Sequence, residues 1–123
     1  MLVVENEPAL AEAVSDALED AGFLVDRAAD GQAALECVRG RRYELVICDL
    51  RMPRLDGQAF YRAVAATTPG LSRKIVFVTG DVVTADAEAF LEQSGCRWLR
   101  KPYRLADLLR VVREVGAGRS APT

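Results

Sequence analysis

The apolar run Val46-Ile-Cys ends in the carboxylate of Asp49 and gives way at once to Leu-Arg-Met-Pro-Arg-Leu-Asp-Gly57. An acid closing an otherwise buried segment is costly unless something compensates it. Asp49 therefore either caps the following turn or is held there to react. Other short apolar runs end in residues of matching chemistry. Leu2-Val3-Val4 leads into Glu5-Asn6, Ile75-Val76-Phe77-Val78 into Thr79, and Trp98-Leu99 into a segment carrying Lys101. Two carboxylates, an amide, a hydroxyl and an ammonium suit one task well, holding a divalent cation and a phosphoryl group together. Mg²⁺ (or Mn²⁺) takes hard oxygen ligands and keeps several waters, so Glu5, Asn6 and Asp49 suffice as protein ligands. Lys101 and Thr79 can then neutralise and hydrogen-bond phosphoryl oxygens, while the metal screens Asp49 for attack as a nucleophile. A charge pair ~4 Å apart is worth about 4 kcal/mol at an effective dielectric of ~20, so either cation should matter.

These residues need a scaffold that brings distant chain segments to one edge, and the hydrophobic pattern supplies it. After the first apolar run, a helix opens at Pro8 with Leu10, Val14, Ala17 and Leu18 on one face and ends at Gly22. Phe23-Leu24-Val25 is expected as the second strand, followed by a short helix from Asp30-Gly31 to Gly40 carrying Ala34, Leu35 and Val38. Leu45-Val46-Ile47-Cys48 is expected as the third strand. Asp56 is placed to cap a helix containing Phe60, Ala63 and Val64. Pro69-Gly70 reads as a loop before the fourth strand. Thr84 then caps a helix running to Gly95, Trp98-Leu99 forms a brief fifth strand, and the last helix aligns Leu105, Leu108, Leu109 and Val112. Repeated βα units with uniformly apolar strands predict an α/β fold, a parallel sheet covered by helices on both faces. Ligands of such sheets bind beyond the carboxyl ends of the strands, which is where Glu5, Asn6, Asp49, Thr79 and Lys101 fall.

Composition narrows the classes. The chain has 123 residues, half of them hydrophobic, and a net charge of −2. That suits one domain with its own core and lacks the basic footprint of direct nucleic-acid binding. No apolar run reaches the roughly 18 residues of a membrane span and no signal peptide precedes the first strand, so neither membrane contact nor export is expected. Cys37, Cys48 and Cys96 have no paired spacing and fit core positions in a reducing cytoplasm. Histidine is absent, which excludes a catalytic imidazole and a His-ligated zinc.

Taken together, the acidic pair position at Glu5-Asn6, "DLRMPRLDG" from Asp49, Thr79, and "KP" at Lys101-Pro102 resemble the receiver (CheY-like) domain of two-component signalling, from Leu2 to about Val115. The resemblance implies a flavodoxin-like (βα)5 doubly wound sheet of strand order 2-1-3-4-5. It implies a phosphorelay in which Asp49 accepts a phosphoryl group from a phosphohistidine on a histidine kinase or histidine phosphotransfer domain; the absence of histidine here puts that donor outside the domain. It further implies a cis Lys101-Pro102 bond, the Arg51 backbone carbonyl as another metal ligand, and a switch formed by Thr79 and Trp98. That switch would alter the surface of the fourth helix, fifth strand and fifth helix, which could also serve a homodimer. Residues 1–115 are expected to be the receiver and 116–123 a flexible tail or linker stub. "FVTGDVVTADAEAFLEQSG" and "KPYRLADLLRVVREV" look similar to receivers at the C-terminus of hybrid sensor histidine kinases.

Two departures stand out. Asn6 occupies the second acid position of the first strand's end, predicting weaker metal affinity, and Glu7 points the wrong way to replace it. Arg51 and Asp81, each two residues past Asp49 and Thr79, border the position of the phosphoryl group in receivers, where opposite charges could pair and slow dephosphorylation. Plainer readings compete with these: Glu5 as a first-turn helix charge, Thr79 as a strand-end threonine, Trp98 as static core, and Asp56-Gly57 as cap and turn. A degenerate receiver that only binds partners or dimerises is the alternative function. An aspartate-nucleophile phosphatase is disfavoured, since Arg51 stands where a second acid would be needed, and "ENEPAL" is no flavin phosphate loop.

Overall fold

A computed structural model describes residues 1–52, 55–80 and 84–116. Strand β1 (Leu2–Val4) leads into helix α1 (Pro8–Asp20), and β2 (Asp26–Ala28) into α2 (Gly31–Gly40). Strand β3 (Val46–Asp49) is followed by α3 (Gly57–Thr67) and a single turn, α4 (Pro69–Ser72). Then come β4 (Ile75–Thr79), α5 (Ala85–Ser94), β5 (Trp98–Arg100) and α6 (Leu105–Gly116). The five strands are all parallel, in the order β2-β1-β3-β4-β5, which is the expected α/β doubly wound, flavodoxin-like sheet.

Alternation along the strands divides the core. Leu2, Val4, Val46, Cys48, Ile75 and Phe77 face α2, α3 and α5, while Val3, Ile47, Val76 and Val78 face α1 and α6. Every residue of β1, β3 and β4 is buried, which is why their sequences are continuously apolar up to the chemical groups at their ends. On the first face Phe90 stacks edge-on against Tyr61 (5.4 Å) and Phe77 (5.5 Å), tying α3, β4 and α5 together. Side-chain caps fix where the helices begin. Asp30 accepts from the Ala33 amide (2.8 Å), Asp56 from Ala59 (2.9 Å) and Thr84 from Ala87 (3.1 Å).

Several sequence expectations require correction. The second strand is not Phe23-Leu24-Val25 but the more polar Asp26–Ala28, whose ladder starts with Leu2 opposite Asp26. An edge strand needs only partial apolarity. Asp26 is further held by the Tyr43 hydroxyl (2.7 Å) and the Arg41 guanidinium (2.6 Å). Leu24 is 90% exposed. Pro69-Gly70 is not a loop but opens α4, where Pro69 takes the first helical position and Leu71 drops into the core. In α6 the inward face is Leu108, Val111, Val112 and Val115, with Leu105 exposed. That helix extends through Gly116, one residue into the expected tail.

None of the described helices is long and apolar enough to cross a membrane. Replacing Phe77, which is fully buried, by alanine is expected to cost about 3–5 kcal/mol in urea denaturation. Leu24→Ala is expected to change stability by less than about 0.5 kcal/mol, because its side chain is already in water.

Candidate functional site

Parallel pairing in register brings the ends of β1, β3, β4 and β5 to one edge of the sheet. Glu5 and Asp49 are buried there, 5% and 4% exposed, on adjacent strands. The ammonium of Lys101 bridges them, donating to Glu5 Oε1 at 3.0 Å and Asp49 Oδ2 at 2.8 Å. The remaining carboxylate oxygens meet backbone amides. Glu7 N donates to Glu5 Oε2 (3.1 Å) and Arg51 N to Asp49 Oδ1 (3.1 Å). Each carboxylate is thus held from both sides, one oxygen by the ammonium and the other by the chain that follows its own strand. Lys101 is placed in turn by its amide, which donates to the Thr79 carbonyl at 2.6 Å, and the Lys101–Pro102 peptide is cis.

Two carboxylates and one ammonium leave the cluster with one uncompensated negative charge. Burial pushes the Glu5 carboxyl up, while the Lys101 hydrogen bond and the Glu7 amide draw it part of the way back. Burial alone would lower Lys101, but hydrogen bonds to Asp49 and Glu5 hold it above its ordinary value, so it stays charged. Beneath the site, burial raises the Cys48 thiol well above its ordinary range; it is an inert core group, donating to the Asp49 carbonyl at 3.3 Å.

The other expected residues are disposed differently. Thr79 ends β4, buried, and its hydroxyl makes no hydrogen bond to another described residue. Asn6 is exposed, with no side-chain hydrogen bond among the described residues. Glu7 contributes its amide to the site, and its side chain is exposed. Arg51 is exposed, and no donor among the described residues reaches its carbonyl. Trp98 is half-buried against the α2–α3–α5 face, opposite Phe77 in the ladder. Asp81 lies outside the described residues, so its pairing with Arg51 is not described.

The donor set fits a hard divalent cation in one particular way. No group of three or more acidic, histidine or cysteine side chains among the described residues could hold a metal by itself. Glu5 and Asp49 could supply two anionic oxygens, and the Arg51 carbonyl, which no donor among the described residues reaches, and the Asn6 amide could supply neutral ones.

Comparison with known proteins identifies the family and the fold. The profile of the response regulator receiver domain matches residues 1–113. The chain belongs to that receiver family. It is 34% identical over 113 residues to the transcriptional regulatory protein DltR of Streptococcus agalactiae, covering 92% of this chain and 50% of DltR. It is 32% identical over 117 residues to the sensor kinase CckA of Brucella abortus, covering 94% of this chain and 12% of CckA. Chemotaxis protein CheY4 of Vibrio cholerae superposes with a TM-score of 0.81 at 28% identity, covering 93% of this chain and 95% of CheY4. The receiver spans about half the length of the first curated relatives it matches.

Sequence reasoning overlooked Tyr103, which sits half-buried beside Glu5, Lys101 and Asp49. Its position directly after Lys101-Pro102 was the available signal. Burial first, and the Glu5 carboxylate second, push the phenol up to about 12. A folded-state pKa above the unfolded value means the native protein holds this proton more tightly. The stabilisation is therefore complete below pH ~10 and lost as pH rises through about 12. Alkaline absorbance titration of the metal-free protein should show late phenolate formation to which Tyr43 and Tyr61, also raised by burial, contribute, and Tyr103→Phe should remove one tyrosine's share of it.

Proposed function

We propose that this receiver is a phosphoacceptor module in a two-component phosphorelay, with Asp49 as the acceptor. The observation that carries the reading is the buried Asp49 carboxylate held at 2.8 Å by Lys101, with Glu5 on the same ammonium. The donor is a phosphohistidine on a histidine kinase or histidine phosphotransfer domain. An Asp49 oxygen attacks phosphorus, an O–P bond forms, the P–N bond breaks, and the imidazole leaves with its electron pair and is protonated. Glu5, Asp49, Asn6 and the Arg51 carbonyl would hold Mg²⁺, which supplies charge neutralisation to the transferring group. Lys101 stays positive through the reaction and keeps the acceptor oxygen oriented, while the Thr79 hydroxyl is available to a phosphoryl oxygen.

Phosphorylation adds a charge of about −1.5 to −2 at pH 7, which draws Thr79 toward the site and lets Trp98 turn inward. The surface that changes is α5-β5-α6, since the short α4 shifts the helix count by one; a homodimer would form there. Arg51 and Asp81 tune loss of the phosphoryl group. The CckA likeness supports placing the domain within a hybrid sensor kinase, and its free cysteines suit the reducing cytoplasm. Asn6 gives the degenerate, purely binding receiver its one specific support.

Intact mass after incubation with Mg²⁺ and a small phosphodonor decides between these readings. One added phosphoryl group is expected on the native chain and none on Asp49→Asn or in EDTA; no addition to the native chain would favour the binding module. Asn6→Asp is expected to tighten Mg²⁺ binding about tenfold, roughly 1.4 kcal/mol, in calorimetric titration. An unchanged affinity would show that position 6 does not meet the metal.

A further inference from the structure

The segment between β3 and α3 carries the Arg51 amide that holds Asp49, and two glycines bound it. Gly57 closes its base: its amide donates to the Leu50 carbonyl at 2.9 Å, and a Cβ there would stand 2.9 Å from Leu50 Cα and 3.0 Å from the Asp49 carbonyl oxygen. Gly31, the first residue of α2, bounds it from outside. A Cβ on Gly31 would fall on the Leu55 carbonyl oxygen, 2.8 Å from the carbonyl carbon and 2.9 Å from Leu55 Cβ. Backbone conformation does not demand glycine here, because positive φ occurs only at Gly22 and Gly95 among the described glycines. Space demands it. The obstacle is main chain and cannot rotate aside as a side chain would.

The position of Gly31 is itself fixed. Asp30 is buried and caps α2 through the Ala33 amide, and the preceding strand is tied to the site because the Ala28 carbonyl accepts from Glu5 N at 3.1 Å. The start of α2 is thus joined to the end of β1 through β2, and Leu55 rests against Gly31.

We propose that Gly31 is a positioning residue for the acceptor site. Its missing side chain leaves room for Leu55 against the start of α2, and through Leu55 it helps keep the Arg51 amide beside Asp49. The functional half of this inference rests on the phosphoacceptor reading, and its geometric half on packing alone.

The test compares the native chain with Gly31→Ala, Gly40→Ala and Val111→Ala. Gly40 ends the same helix with nothing within 4 Å of an added Cβ, and Val111 is buried on the opposite sheet face. Gly31→Ala is expected to weaken Mg²⁺ binding about tenfold, as loss of outer-shell support commonly does, and to slow phosphorylation. It is also expected to speed amide hydrogen exchange at Arg51 and Gly57 in the metal-free protein. Gly40→Ala should match the native chain, and Val111→Ala should lose stability without either change. Native Mg²⁺ affinity and native Arg51 exchange in Gly31→Ala would overturn the proposal. A native chain that takes neither Mg²⁺ nor phosphate would instead overturn the phosphoacceptor reading, leaving the exchange comparison to decide on Gly31. Should Gly31→Ala not fold, Asp30→Ala loosens the same helix start without adding an atom, and unchanged Arg51 exchange in that variant would equally sink the idea.

Discussion

One ammonium shared between two buried carboxylates organises this molecule's functional edge. Glu5 and Asp49 lie buried side by side, and Lys101, within 3.0 Å of each, supplies the one positive charge that pairs with both. Lys101 reaches them only because β5 pairs with β4, and β4 with β3, in the register that sets Thr79 opposite Arg100 and Asp49 opposite Val78. The electrostatics therefore depend on the sheet order, and the sheet order depends on the apolar faces that bury it. An error of one residue in any of these ladders would turn each strand's buried set to the wrong face and carry the acid or the lysine away.

The acids are also held by backbone, and this explains why so few side chains are needed. Glu7 N and Arg51 N each bond a carboxylate oxygen of the strand-end residue two positions earlier. A turn that satisfies its own preceding acid orients it without a second charged group. That leaves one ammonium to serve two acids and leaves the cluster one positive charge short of neutrality. A site in that state keeps a net negative charge while its own lysine stays protonated.

How much of this was legible in the sequence follows from what each signal measures. Buried central strands must be apolar throughout, so β1, β3 and β4 announced themselves and pointed to Glu5, Asp49 and Thr79 at their ends. The caps Asp30, Asp56 and Thr84 were visible because a short acceptor before a helical pattern has few other uses. The edge strand β2 was misplaced by three residues because its neighbours Phe23 and Leu24 look more strand-like than Asp26 and Arg27. Edge pairing and a polar anchor at Tyr43 override that preference. Tyr103 and Gly31 were harder to see. A phenol near the acids is an outcome of how the chain leaves β5, and the room that Gly31 leaves is defined by Leu55, twenty-four positions away in sequence and in contact only after folding.

Asn6 shows where chemistry and packing part company. It lies beyond β1, exposed, and no ladder, cap or core contact among the described residues constrains it. An acid there would add a second negative charge to a cluster whose single ammonium is already divided between two carboxylates. Without metal, that extra charge would further disfavour ionised Glu5, which burial already pushes toward its protonated form. An amide keeps an oxygen at the position and avoids that repulsion, so Asn6 spares the metal-free cluster a charge that Glu5 would feel.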